Sequence, residues 1–527
     1  MPRWASWVAW GIIFGAVAIR LLCWFYTQRT WEDCLITVQH AENAARGLGL
    51  THVPGGPRLH GFTSPISVLI PLLGELVHPR LGTVLLRTVS ALCGGVTVWI
   101  AMGIAQRLRL ALPITFLIGG YLAFEHHQIL FGMAGMETQI VVTILLFSIY
   151  SLLDLKPLYV GVGLGLCMLA RPDFGFWVVI VLALLSWRAW KTRNLHTLET
   201  SGLALLLIYG PWIAFTTAYY GSPLPNTVLA KGWGYPNHWY AGMSIGVFLT
   251  TAFVRLHYLF SILGPAFGGN GVGVSFFSID PMGLTCLVML GFAISGVILA
   301  VRRRDIFGIA ITCFILVYLF YYLFLMVAIF LWYIVPLAAV SIIAAGMGLD
   351  SSLKKWFSPR WQKPGGYVFA AAYLTILFAV APAALRGERN IQIFVEDGVR
   401  KPVGLYLASV MNPDQTVGTE PLGYFGYYSR HVVLDYPGLC NWQVVRFMRE
   451  HPDKRTLLDM LAYFRPDYLV LRPSEYTTAL SRSDGLLSKY DLIKKFSVPE
   501  AARRQLLFPD RNVDLEYYVL RLRTESR

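Results

Sequence analysis

Apolar segments recur along this chain from residue 4 to residue 385, and several are long enough to cross a hydrocarbon layer of roughly 30 Å. That recurrence constrains the fold more than any motif does. Inside lipid each backbone polar group must be satisfied within its own segment, and a helix does this. Composition agrees: 56% of residues are hydrophobic and 14% charged, where a soluble domain carries about 25% charged residues. The pattern is that of a mainly α, polytopic membrane protein.

Hydropathy predicts eleven crossings, at 7–26, 83–106, 112–131, 137–153, 157–170, 174–188, 198–220, 281–301, 306–330, 332–350 and 367–386. No small-residue cleavage site follows the first apolar run, which therefore reads as a retained helix. Two further apolar stretches, 64–77 and 243–263, read as re-entrant or interfacial segments; the first is short and the second carries Arg255 and His257. The net charge of +14 sits mostly in short loops at 107–109, 188–193, 302–304 and 354–363. With Arg3 on the same side, these loops form a positive-inside pattern that places the N-terminus in the cytoplasm. The charge thus has a topological explanation and does not call for nucleic acid. The seven cysteines form no C-x-x-C pair, so neither a disulfide framework nor a metal knuckle is indicated.

The opposite, outer face receives the polar segments 27–62, 132–137, 171–173 and 221–241. It also receives the charged tail, where strand-like runs at 432–434, 468–471 and 517–520 alternate with helical ones. The expected organisation is a transmembrane domain over 1–386, with an outer loop at 27–62, and an extracytoplasmic α/β domain over 387–527.

Loop 27–62 places Trp31-Glu32-Asp33 directly after the first crossing, ahead of a short amphipathic helix stopped near Gly47 and Gly49. Two adjacent carboxylates at a membrane surface repel, so one proton is held more tightly. A carboxylate so poised can take the proton of an attacking hydroxyl, while the same pair can also be an ordinary acidic helix start. Arg171-Pro172-Asp173 lies between two apolar runs, where an Arg can grip a phosphate or merely pair with its own Asp173. Glu137 opens another helix and suits a capping role. Lys231 follows Tyr219-Tyr220-Gly221-Ser222-Pro223-Leu224-Pro225-Asn226-Thr227 and can meet a lipid phosphate or sit among headgroups. Glu125-His126-His127 has metal-ligand character, yet no third ligand stands at a motif spacing. No cofactor is assigned on this reading, and a divalent metal is left open.

Taken in order, these elements form a series: the acidic pair, G-G-x-R-x-x-G-F-T-S-P at 55–65, Gly135-Met136-Glu137-Thr138, Ala170-Arg171-Pro172-Asp173, Y-Y-G-x-x-L-P-N-T-x-x-A-K at 219–231 and Trp332-Tyr333-Ile334-Val335-Pro336. The series resembles the bacterial GT-C membrane glycosyltransferases, above all the terminal arabinofuranosyltransferase-like group, over residues of about 25–340. The tail segment from Gly418 to Leu439 also resembles that group's outer domain. The resemblance implies an inverting transfer of a sugar from a polyprenyl-phosphate donor at the outer membrane face. The acceptor would be an envelope glycan, a glycolipid or a protein.

On that resemblance Glu32 or Asp33 is the base and Arg171 and Lys231 hold the donor phosphate. His60, Glu137, Asp173 and Asn226 bind sugar or acceptor, or brace the loop. Two departures stand out: the family's Asp-Asp is Glu32-Asp33 here, and the Glu before G-[FY]-T is His60. The rival readings are a lipid-linked-sugar flippase, which would line a path through several helices with polar residues, and a non-catalytic envelope-binding scaffold.

Overall fold

A computed structural model describes residues 2–234, 240, 242–264, 281–325, 329–507 and 514–523. Parts of the segments expected at 221–241 and 306–330 lie outside the described residues. The chain forms two compact units: residues 1–26, 86–213 and 238–385 make the first, and residues 27–85, 214–237 and 386–527 the second.

Among the described residues, eight helices are long and apolar enough to cross a membrane, or nine if one bent pair counts as a single span. Four shorter apolar helices accompany them: Ile66–Val77, Leu112–Phe124, Pro157–Ala170 and Ile245–Phe260. The stretch read as one crossing at 112–131 is broken in two. Glu125 ends the helix Leu112–Phe124 and caps the next, His126–Met133, its carboxylate accepting from the backbone N–H of His127 at 3.0 Å and of Gln128 at 2.9 Å. The His127 ring lies 2.9 Å from the same carboxylate, so this acid and histidine satisfy each other inside the unit.

The first unit is organised on Leu331–Trp356, the most enclosed of the eight spans. Its small residues let a neighbour approach to backbone distance. A Cβ on Gly348 would stand 2.0 Å from the Phe292 carbonyl oxygen, and one on Gly296 would stand 1.7 Å from that of Ala344. Only glycine fits at that crossing.

The second unit is built on a five-stranded sheet: β1 (Thr416–Thr419), β2 (Val432–Asp435), β3 (Tyr468–Leu471), β4 (Tyr490–Ser497) and β5 (Glu516–Leu522). The spatial order is β2-β1-β3-β5-β4, with β1 parallel to β2 and β3, and β5 antiparallel to β3 and β4. Leu35 and Ile36, from the helix Glu32–Ala45, join the core of this sheet with Val399, Val417, Phe425 and Val519. The acidic loop is therefore anchored by its own apolar stripe to the sheet it precedes by several hundred residues.

Candidate active site

Glu32 and Asp33 occupy the first turn of Glu32–Ala45, where Trp31 offers no side-chain cap and negative charge is favoured by the helix dipole. Beyond that turn their surroundings diverge. The Glu32 carboxylate accepts from Arg400 Nη1 at 2.9 Å and from the Gly423 N–H at 3.0 Å. Arg400 also reaches Glu396 at 3.4 Å and Asp514, and Asp514 accepts from Arg472 at 2.8 Å. Arg472 adds Glu420 at 2.7 Å and Glu475 at 2.9 Å, while Arg29 ties Glu396 to Glu388 at 2.9 and 3.0 Å. Glu32 is thus one rung of a ladder of three arginines and six carboxylates. Burial pushes its pKa up to about 7 against the pull of Arg400, and Glu420 and Asp33 push it the same way.

Asp33 stands outside the ladder. It is half-buried, and among the described residues no hydrogen bond reaches its carboxylate. Burial raises its pKa, the Lys231 ammonium lowers it, and Glu420 raises it. Lys231 sits in the last turn of the helix Asn226–Gly234.

The same unit draws two of the sequence motifs together. The Asn226 N–H donates to the His60 carbonyl at 2.9 Å, and the Thr63 and Thr227 hydroxyls meet at 3.0 Å. The His60 ring stacks on Tyr220, with centroids 5.0 Å apart and planes within 6°, and meets Phe62 edge-on. Burial, reinforced by His40, lowers the His60 pKa to about 4, so the ring is neutral at physiological pH. The Asn226 amide spends both its hydrogens on the carbonyls of Gly438 and Leu439, at 2.7 and 3.0 Å. It braces the loop after β2. At the end of β2 Asp435 accepts from the N–H groups of Leu439 and Cys440 in that loop, and burial raises it to about 7.

In the membrane unit Arg171 and Asp173 form a two-pronged pair at 2.9 and 3.0 Å. Tyr322 donates to the same Asp173 at 3.1 Å, and the guanidinium lies 4.3 Å from the centre of the Tyr333 ring. The pairing expected of this segment is present. The pair forms, yet Arg171 Nη1 is buried with no hydrogen-bond partner among the described residues. Glu137 takes the position before the helix Thr138–Asp154, but its side chain makes no capping bond there.

Local sequence did not announce Arg400, Asp514, Asp435 or Tyr322. Arg400, Asp514 and Tyr322 meet their partners across long stretches of chain, whereas Asp435 bonds the backbone four and five residues on; the one visible signal was the charge of the tail. Among the described residues no group of three His, Cys, Asp or Glu side chains is arranged to hold a metal ion.

A family described as a domain of unknown function (DUF8728) matches residues 388–515. No curated protein matches the sequence. Solved structures do match across nearly the whole chain. ArnT from Cupriavidus metallidurans bound to undecaprenyl phosphate has a TM-score of 0.53 at 13% identity, covering 97% of this chain and 98% of that one. Its apo form has a TM-score of 0.57 at the same identity. AglB, the archaeal oligosaccharyltransferase from Archaeoglobus fulgidus, in complex with an inhibitory peptide and a dolichol-phosphate, has a TM-score of 0.54 at 12% identity over 94% of this chain and 73% of its own. The chain shares its overall fold with these structures. With its apolar helices, this describes a multi-pass membrane protein.

Proposed function

We propose that the protein is an inverting membrane glycosyltransferase that moves a sugar from a polyprenyl-phosphate donor to an envelope glycan, glycolipid or protein. The observation that carries the reading is the division of labour between neighbouring acids. Glu32 is committed to Arg400 and Gly423, whereas Asp33 keeps its carboxylate clear of hydrogen bonds beside a single cation.

In the proposed step Asp33 takes the proton of the acceptor hydroxyl as that oxygen attacks the anomeric carbon. The bond from that carbon to the phosphate oxygen breaks on the opposite side, and its electron pair leaves with the lipid phosphate. A carboxylate with a raised pKa is a better base than an ordinary surface aspartate. The phosphate leaves as an anion and needs counter-charge more than a proton. Lys231 supplies a point charge and Arg171 Nη1 an unspent donor. His60 and Asn226 brace the loops, Asp173 holds Arg171, and Glu137 is assigned to sugar or acceptor. The undecaprenyl phosphate of the ArnT structure and the dolichol-phosphate of the AglB structure support a donor of this class.

The arabinofuranosyltransferase-like assignment rests on motif order and makes a pentose the first donor to try. The proposed topology has eleven crossings, obtained by adding 112–133, 138–154 and 157–170 to the eight long spans, with residues 387–527 outside the cytoplasm. The test is a transfer assay in detergent with polyprenyl-phosphate pentoses and hexoses and a crude envelope acceptor, read as release of free lipid phosphate. Release lost in Asp33→Asn and kept in Glu32→Gln supports the assignment. Release unchanged in both removes the acidic loop from the mechanism.

A further inference from the structure

The membrane unit carries a second site, at the end opposite to the outer loops in the charge-derived topology. Where the helix Leu331–Trp356 turns into Pro359–Ile391, the two helices and Phe292 enclose a cavity of about 520 Å³. Its walls include Leu349, Leu353, Trp356, Trp361 and Phe369, and Ser352 supplies the one hydroxyl among them. The volume lies within the usual range for a small-ligand pocket, but the walls hold almost nothing with which to orient a polar molecule. They suit a hydrocarbon chain.

The rim has the opposite character. Lys355, Arg360 and Lys363 are exposed, and each stands next in sequence to a wall residue, Trp356, Trp361 and Pro364. Among the described residues none of the three makes an ion pair, whereas Lys354 one position earlier is held by Asp350. The two tryptophans expose 67% and 56% of their surface, as rings do at the level of lipid headgroups. An apolar slot under three uncommitted cations is complementary to a molecule with an acyl chain and a negative headgroup.

We infer that this slot binds one anionic phospholipid of the surrounding bilayer, its acyl chain against Leu349, Leu353 and Phe369 and its phosphate on Lys355, Arg360 and Lys363. A polyprenyl-phosphate donor shares this chemistry. The bilayer lipid is the occupant favoured here because loop 354–363 belongs to the basic, cytoplasmic set, away from the proposed transfer face. The inference does not require the transfer reading to be correct.

The test is native mass spectrometry of delipidated protein in detergent, titrated with phosphatidylglycerol, phosphatidylcholine or undecaprenyl phosphate. Two variants accompany wild type: Lys355→Gln/Arg360→Gln/Lys363→Gln strips the rim. Gly365→Phe fills the slot; a Cβ there would meet only Leu353, at 3.7 Å. Wild type is expected to hold phosphatidylglycerol about tenfold more tightly than phosphatidylcholine, and each variant to lose that preference. Unchanged melting temperatures in lipid-free detergent would show that both variants fold. Equal binding of the two phospholipids, or a preference that survives in both variants, overturns the site. Displacement of phosphatidylglycerol by equimolar undecaprenyl phosphate overturns the choice of occupant.

Discussion

Two buried arginines, one in each unit, differ in how many acids hold them. Arg400 in the sheet-bearing unit touches three carboxylates, and its ladder as a whole sets three guanidinium groups among six acids. Arg171 in the membrane unit has one carboxylate, a tyrosine face and a nitrogen left over. Burial, with Glu420 and Asp33 acting in the same direction, raises Glu32 to about 7 against Arg400, and Arg400 too keeps one buried nitrogen, Nε, without a hydrogen-bond partner among the described residues. Arg171 and Asp173 cancel in charge but leave one buried donor unsatisfied, which costs stability until something accepts from it. The difference lies in the acids at hand: three carboxylates tie Arg400 into a framework, whereas Arg171 has one.

The largest expected effect separates the neighbouring acids. Asp33→Asn should lower the transfer rate by about 10²–10⁴-fold, the usual contribution of a positioned base, with no change in thermal stability. Glu32→Gln should cost activity by only about tenfold, through a loosened helix start, since amide and carboxylate both accept from Gly423. Equal losses would erase the distinction between rung and base. Next comes Arg400→Met, which leaves Glu32 without its cation and Glu396 and Asp514 with one arginine each, and should destabilise the sheet-bearing unit by about 3–5 kcal/mol. Limited proteolysis of residues 386–527 would read it. Arg171→Lys keeps a cation beside Asp173, so it should move melting little while weakening donor binding through the lost guanidinium nitrogen. If Arg171→Lys proved more destabilising than Arg400→Met, Arg171 would be framework rather than donor contact.

What the sequence disclosed follows the range of the interactions. Hydropathy finds the long apolar helices because each satisfies its backbone locally, and motif order singled out Glu32, Asp33, Arg171 and Lys231 as candidates. It also found β2, β3 and β5 in outline. It missed β1, which is only Thr416–Thr419, and β4, where adjacent Lys494 and Lys495 and a register shift after Leu492 break the alternation. Glu125 looked like a metal ligand beside two histidines, whereas it breaks and caps a helix, because a buried acid takes the nearest N–H groups first. No local pattern could tell Glu32 from Asp33. The difference is set by Arg400, 368 positions away.

A smaller effect concerns pH, and the same unit holds groups of both signs. Burial lowers His40 and His60 from 6.5 to about 4, so the folded state keeps them neutral while the unfolded chain protonates them near 6.5. Stability from these two falls as pH drops from about 6.5 towards 4, by roughly 3 kcal/mol per histidine at the limit. Glu32 and Asp435 are raised to about 7, so the folded state holds protons that the unfolded chain has already released. Their contribution is present at low pH and is lost as pH rises through about 7. Denaturant titrations of wild type and His60→Gln between pH 4 and 8 should show a flatter acid arm in the variant and an unchanged alkaline arm. An alkaline arm altered by His60→Gln would mean that the two sets are not independent.

The smallest expected effect sharpens the comparison from the packing side. Gly61 lies within the G-F-T-S-P motif of the sheet-bearing unit, and a Cβ there would stand 2.6 Å from Cys440 Sγ and 3.1 Å from His40 Nε2. Its φ is not in the left-handed region, so the demand is for space rather than for backbone freedom. Gly61→Ala should therefore destabilise by about 1–3 kcal/mol, the range for overpacking a filled core. Cys440→Ala removes the nearer obstacle, and the double variant should recover more than half of the loss in a double-mutant cycle read by melting temperature. Recovery would show that the motif glycine serves the joint between the acidic loop and the strap after β2, where Cys440 also donates to the Gly61 carbonyl. No recovery would place the constraint on His40, whose Nδ1 is already spent on the Ile36 carbonyl at 2.8 Å and whose ring cannot turn away without losing that bond.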